Sequence, residues 1–189
     1  CRQTAAWTAA GHDVVAMSVN VAGTFLTQPD AVGRILTIAA QHGVAASSLV
    51  LEVSQRTMSE EDRTPIARQI EAAHAAGLRI AVDEFDLGQS SLIHLRRPEI
   101  GILKIDHAFV RDLTSAPENV AIVGAMIELA RGLDKQVVIE GIETAEQNAV
   151  IGISERAWVQ GFLYSRPLEA DAAARFMTDL ASRTRPGRR

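Results

Sequence analysis

Six stretches of the sequence place a polar side chain at or just behind the end of a short apolar run: Asn20, Glu52, Asp83 with Glu84, Lys104 with Asp106, Glu140, and Gln160. Brought together, these carboxylates and amides would repel one another, and burial would sharpen the repulsion unless cations neutralised it. All-oxygen donors select hard divalent ions such as Mg²⁺ or Mn²⁺, whereas zinc calls for histidine or cysteine. The histidines, His12, His42, His74, His94 and His107, fall mainly on expected helices or loops, and Cys1 is the only cysteine. A pair of hard ions can activate water and stabilise the oxygens of a phosphodiester during in-line displacement. Lys104 would hold that water or offset phosphate charge, and an interior lysine is costly without charged partners. Asp83 and Glu84 are neighbours, and neighbouring strand residues face opposite ways, so both can serve only if the strand end breaks its alternation.

The elements that must position these side chains alternate along the chain. Apolar runs expected as strands are Val14 to Val21, Ser48 to Ser54, Arg79 to Phe85, Ile102 to Ile105, Gln136 to Gly141 and Ala157 to Leu163. Segments of helical period are Pro29 to His42, Glu60 to Ala76, Ser91 to Arg97, Pro117 to Leu133, Thr144 to Ile151 and Glu169 to Ala181. Ser59 stands as a capping serine before acidic residues, and Gly43 and Gly77 sit where helix C-terminal glycines belong. Strand and helix in alternation imply a parallel sheet, open and doubly wound or closed into a (β/α) barrel. Polar residues at nearly every strand end favour the barrel, where they converge on one mouth; an open sheet would scatter them along a line. The expectation is an α/β, TIM-like barrel with six of eight strands present. Trp7, Trp158 and the apolar stretch Val120 to Ala130 read as packing.

Composition narrows the function. With 189 residues, 47% hydrophobic and 22% charged, the chain can bury one sizeable core. A formal net charge of −4 argues against broad binding to a nucleic acid polymer. No apolar run is long enough to span a bilayer, and a lone cysteine fits a reducing compartment, so a cytoplasmic location is expected. The chain opens on Cys1 rather than Met, within what reads as the tail of a helix ending at Gly11, so an upstream part is expected. Residues 1–182 read as the barrel and 183–189 as a solvated basic tail.

In order and spacing, Ser18-Val19-Asn20, Leu51-Glu52-Val53-Ser54, Asp83-Glu84-Phe85, Leu103-Lys104-Ile105-Asp106, Glu140-Gly141-Ile142-Glu143-Thr144 and Gln160-Gly161-Phe162-Leu163-Tyr164-Ser165-Arg166-Pro167 resemble the successive motifs of the EAL domain family. The resemblance covers almost the whole chain. It implies a barrel phosphodiesterase with two Mg²⁺ or Mn²⁺ ions that opens cyclic di-GMP to the linear dinucleotide pGpG. It implies Asn20, Glu52 and Asp83 as ligands of a first ion, and Asp83, Glu84 and Glu140 as ligands of a second. Lys104 would position the attacking water, with Glu140 also in the catalytic set. Asp106, Glu143 and Gln160 would complete the site or touch substrate. A homodimer and an upstream sensory or cyclase domain are further implied partners.

Departures from the family pattern stand beside the match. The Glu-Ala-Leu tripeptide that names the family does not occur, so the chain by itself is expected to lack a metal ligand and turnover. The usual paired aspartates are Asp83-Glu84, Asp86 stands where a glycine is usual, and Gln55 replaces a glutamate. These leave open a module that binds cyclic di-GMP or a protein partner without catalysis, or a fragment without independent function.

Overall fold

The computed structural model describes residues 1–14, 16–59, 65–86, 95–151 and 157–184. Six strands form one sheet: β1 (Met17–Asn20), β2 (Leu49–Ser54), β3 (Arg79–Phe85), β4 (Ile100–Ile105), β5 (Gln136–Glu140) and β6 (Ala157–Gln160). All five pairings are parallel, and the spatial order is the sequence order. A doubly wound sheet reverses its strand order at a switch point. This one never does, so each new strand adds to the same side and the sheet curls into a half-barrel with β1 and β6 at its edges.

The helices are α1 (Arg2–Ala9), α2 (Gly23–Leu26), α3 (Ala31–Gln41), α4 (Gln55–Ser59), α5 (Pro65–Ala75), α6 (His107–Val110), α7 (Pro117–Gly132), α8 (Ala145–Ile151) and α9 (Ala170–Thr184). Proline at the start of α7 gives up no needed N–H, and Val123, Met126, Ile127 and Ala130 lie at the i, i+3, i+4, i+7 spacing that makes one buried stripe. The stretch expected to clad the sheet therefore does so. The last helix runs to Thr184, three residues past its expected end. Most of the expected helix Ser91 to Arg97 lies outside the described residues, as does the acidic run after Ser59.

Alternation along the strands builds two cores. On β2, Leu49, Leu51 and Val53 face the helices and join the main core with Ile80, Val82, Leu103, Ile105, Val137 and Ile139. Val50 faces the other way and meets Ala81 and Ile102 in a second, small core flanked by Ala16 and Val138. Small and β-branched side chains suit this concave face, where facing strands converge. Two residues further along these strands, the same concave face turns polar.

Candidate active site at the mouth of the half-barrel

Register decides which side chains share the concave face, because partners across a parallel pair point the same way. Asn20 pairs with Glu52, Ser54 with Asp83, Lys104 with Val138, and Glu140 with Gln160. Val50, Ala81, Ile102 and Val138 thus lie on the same face as Glu52, Asp83, Lys104 and Glu140, each two residues before the polar residue of its own strand.

The alternation breaks where Asp83 and Glu84 require it to. Val82 pairs with Leu103 and Phe85 with Ile105, so β3 spends one residue more than β4 across this interval. The extra residue makes a bulge, with Glu84 in the left-handed region at φ 54°. Phe85 is thereby returned to the helix side, where it is buried. Asp83 keeps its place on the concave face, and Glu84 is exposed at the rim.

At the centre lies Lys104. Its Nζ is 2.6 Å from Glu52 Oε2, 2.8 Å from Glu140 Oε1 and 3.0 Å from Asp83 Oδ1. The lysine and Glu52 are both buried. Burial alone would lower the pKa of the ammonium, but its ion pairs with Glu140, Glu52 and Asp83 outweigh this and hold it above the ordinary lysine range. For Glu140, burial pushes the carboxyl up; Lys104 pulls it back, while the charges of Asp83 and Glu52 push it further.

Asp83 supplies a test of whether a divalent cation fits. Its Oδ1 is buried and accepts no hydrogen bond, although the Lys104 ammonium lies 3.0 Å away. Three carboxylates facing one ammonium also leave two formal negative charges uncompensated. Among the described residues no three His, Cys, Asp or Glu side chains converge into a finished cage; the Lys104 ammonium stands between the acids instead. The donors are all oxygen, partly buried and in excess of their cation, which is the chemistry that hard divalent ions take.

The remaining sequence candidates ring this centre. Asn20 and Gln160 sit on the edge strands at the mouth and are exposed. Asp106 caps α6, accepting from the Ala108 amide at 2.6 Å, and lies 3.2 Å from His107 Nδ1. Glu143 follows β5 with its side chain exposed. A cavity of about 340 Å³ opens on the concave face, lined by Glu52, Lys104 and Gln160 above Val50, Ile102 and Trp158. Trp158 is 41% exposed on the edge strand, with the Arg79 guanidinium 5.7 Å from its ring centre. A larger hollow of about 610 Å³ lies between residues 10–13 and α9, but among the described residues only His12 and Asp13 of its lining titrate, so the chemistry belongs to the smaller cavity.

Several residues that position the site stand outside the set of candidate site residues read from the sequence. Gln55, at the start of α4, donates to Asp86 Oδ1 at 2.8 Å and accepts from the Asp86 amide at 2.8 Å. The two family departures at these positions are therefore partners. Gly141 has φ 79°, and a Cβ there would lie 2.6 Å from that of His107. At Gly161 a Cβ would run into the main chain of Ile142. Lys135 is a second buried lysine, but it donates to the Arg97 and Ile100 carbonyls at 2.9 and 2.6 Å and braces the start of β4.

Parallel strands in sequence order with an acidic, lysine-centred mouth define one half of a TIM-like barrel. The chain belongs to the EAL domain family, whose family model matches residues 1–167. It is 34% identical over 179 residues to the cyclic di-GMP phosphodiesterase NbdA of Pseudomonas aeruginosa, covering 94% of this chain and 22% of that protein. Among solved structures it resembles the PaMucR phosphodiesterase in its c-di-GMP complex, with a TM-score of 0.81 and 32% identity over 92% of this chain and 70% of that one. It also resembles Klebsiella pneumoniae BlrP1 in a manganese/cy-diGMP complex, with a TM-score of 0.76 and 27% identity over 88% of this chain and 42% of that one. The chain spans about a quarter of the length of the curated relatives NbdA and MucR. Among the described residues no helix is long and apolar enough to cross a membrane.

Proposed function

We propose that this chain forms the greater part of a divalent-metal-dependent phosphodiesterase site that hydrolyses cyclic di-GMP to the linear dinucleotide pGpG. The observation that carries this reading is the Lys104 ammonium within 3.0 Å of Glu52, Asp83 and Glu140, beside a buried Asp83 oxygen that lacks a hydrogen bond. The relatives named for cyclic di-GMP hydrolysis, and the BlrP1 structure with manganese and cyclic di-GMP, support the substrate and the class of ion.

In this reading Asn20, Glu52 and Asp83 hold one Mg²⁺ or Mn²⁺ ion, and Asp83, Glu84 and Glu140 hold a second. Bound there, such ions supply a water of lowered pKa and charge stabilisation at the phosphodiester oxygens. Lys104 orients the water that attacks phosphorus, and its charge faces the negative charge that grows on the phosphoryl oxygens. One phosphorus–oxygen bond of the ring opens and the departing ribose oxygen takes a proton. Gln160, Asp106 and Glu143 stand at the rim, where they meet substrate or steady the loops.

The test is turnover of cyclic di-GMP by the full-length protein with Mn²⁺. Conversion to pGpG that a Lys104→Ala variant lacks supports the reading; equal rates in the two proteins refute it. Glu84, exposed on its bulge, favours a second reading in which cyclic di-GMP is bound but not cleaved. Calorimetric binding without product would select that one.

A further inference from the structure

We propose that Gln147 is a positioning residue for this site, locking the end of β5 with Glu140 and the following loop with Glu143 to the unit that carries Lys104 and Asp106; the inference rests on the function proposed above. Gln147 lies on α8 and is 7% exposed. Its Oε1 accepts from the Glu143 and Thr144 amides at 2.8 and 3.1 Å. Its Nε2 donates to the Val110 and Arg111 carbonyls, both at 3.3 Å. Two donors face the oxygen and two acceptors face the nitrogen, so the amide has one chemically consistent orientation and both its ends are in use.

Every one of these ties ends on main chain, so Gln147 holds loops rather than side chains. On one side it fixes residues 143 and 144, three and four positions beyond Glu140. On the other it fixes the end of α6, whose first turn is capped by Asp106, two residues past Lys104. The Glu140–Lys104 contact of 2.8 Å spans the same two strand–helix units. Gly141 already requires the chain to press against His107 at this seam. An apolar side chain at position 147 would leave the Glu143 and Thr144 N–H groups and the Arg111 carbonyl without these partners in a half-buried place, with the Val110 carbonyl keeping only the Leu113 amide, and would release one unit from the other.

The experiment compares Gln147→Leu and Gln147→Glu with the parent in the full-length protein, with Val123→Ala on α7 as a control that destabilises the neighbouring packing without removing any of these bonds. For Gln147→Leu, kcat on cyclic di-GMP should fall by about ten- to a hundredfold, and Mn²⁺ affinity by calorimetry should fall in parallel. KM should change little, and the Glu143 and Thr144 amides should exchange with solvent faster. Gln147→Glu keeps the accepting end and loses the donating one, so it should fall between Leu and the parent. Parental kcat and Mn²⁺ affinity in either variant, or losses no greater than those of Val123→Ala, would overturn the proposal. If the parent itself fails to turn over cyclic di-GMP, the functional reading falls instead, and the Mn²⁺ and exchange measurements still decide the role of Gln147.

Discussion

Gln55 and Asp86 hold each other by two reciprocal hydrogen bonds of 2.8 Å, side chain to side chain and side chain to backbone, across the ends of neighbouring strands β2 and β3. The pair sits three residues beyond both Glu52 and Asp83, so it ties together the strand ends that present two of the three carboxylates around Lys104. Contacting residues that share hydrogen bonds couple by about 0.5–3 kcal/mol. Restoring the glutamate alone, as Gln55→Glu, would set carboxylate against carboxylate and should lower stability and activity. The double variant Gln55→Glu with Asp86→Gly should recover much of that loss. A double-mutant cycle by denaturant unfolding checks this, and additive effects would show that the two positions are not coupled.

Removal of the Lys104 charge should expose the repulsion it now offsets. Breaking a buried ion pair by deleting one partner costs about 3–5 kcal/mol. Lys104→Met should be destabilised on that scale when no divalent ion is present, and Mn²⁺ should restore more stability to the variant than to the parent while turnover stays abolished. Thermal denaturation with and without Mn²⁺ reads both effects.

Glu140 makes stability depend on pH. Burial raises its folded pKa above the unfolded value, which lies at about 4.3. Such a group contributes stability below the unfolded pKa and loses it as pH rises through the folded one. In the presence of a chelator, the protein should therefore weaken as pH climbs from the ordinary glutamate range through the higher folded value. Glu140→Gln should lack this component of the loss and be the more stable protein at neutral pH. Urea midpoints measured across that range, with and without chelator, test the sign.

Glu84 carries strain that a shorter acid would relieve. A left-handed backbone costs most L residues about 1–2 kcal/mol, whereas aspartate and asparagine tolerate it better. Glu84→Asp should recover part of that cost, and, under the proposed function, should tighten Mn²⁺ binding as well. A melting temperature that falls in the variant would count against strain at the bulge.

Gly161 admits no side chain. A methyl group there meets the Ile142 main chain, which bonds back to β6 through Ile142 N to Gln160 O at 3.1 Å and Leu163 N to Ile142 O at 3.0 Å. Gly161→Ala should cost about 1–3 kcal/mol by forcing β5 and β6 apart at the mouth. Denaturant unfolding gives the loss, and a drop in kcat larger than that of Val123→Ala would place the damage at the site.

Period and position in the chain were enough to find the six strands, most of the helices and the polar residues behind the strands, because alternation and 3.6-residue spacing are local properties that burial imposes along each segment. The motif order likewise identified the family, and an interior lysine announced that carboxylates must surround it. What needed the tertiary structure was register. Only the pairing of β3 with β4 reveals the extra residue that seats Asp83 on the concave face while Glu84 turns to the rim. Gln55 with Asp86, and Gln147 with residues 110 and 111, are separated by 31 to 37 positions. Contacts of that range leave no periodic trace, since they depend on how separate strand–helix units pack and not on the pattern within any one of them.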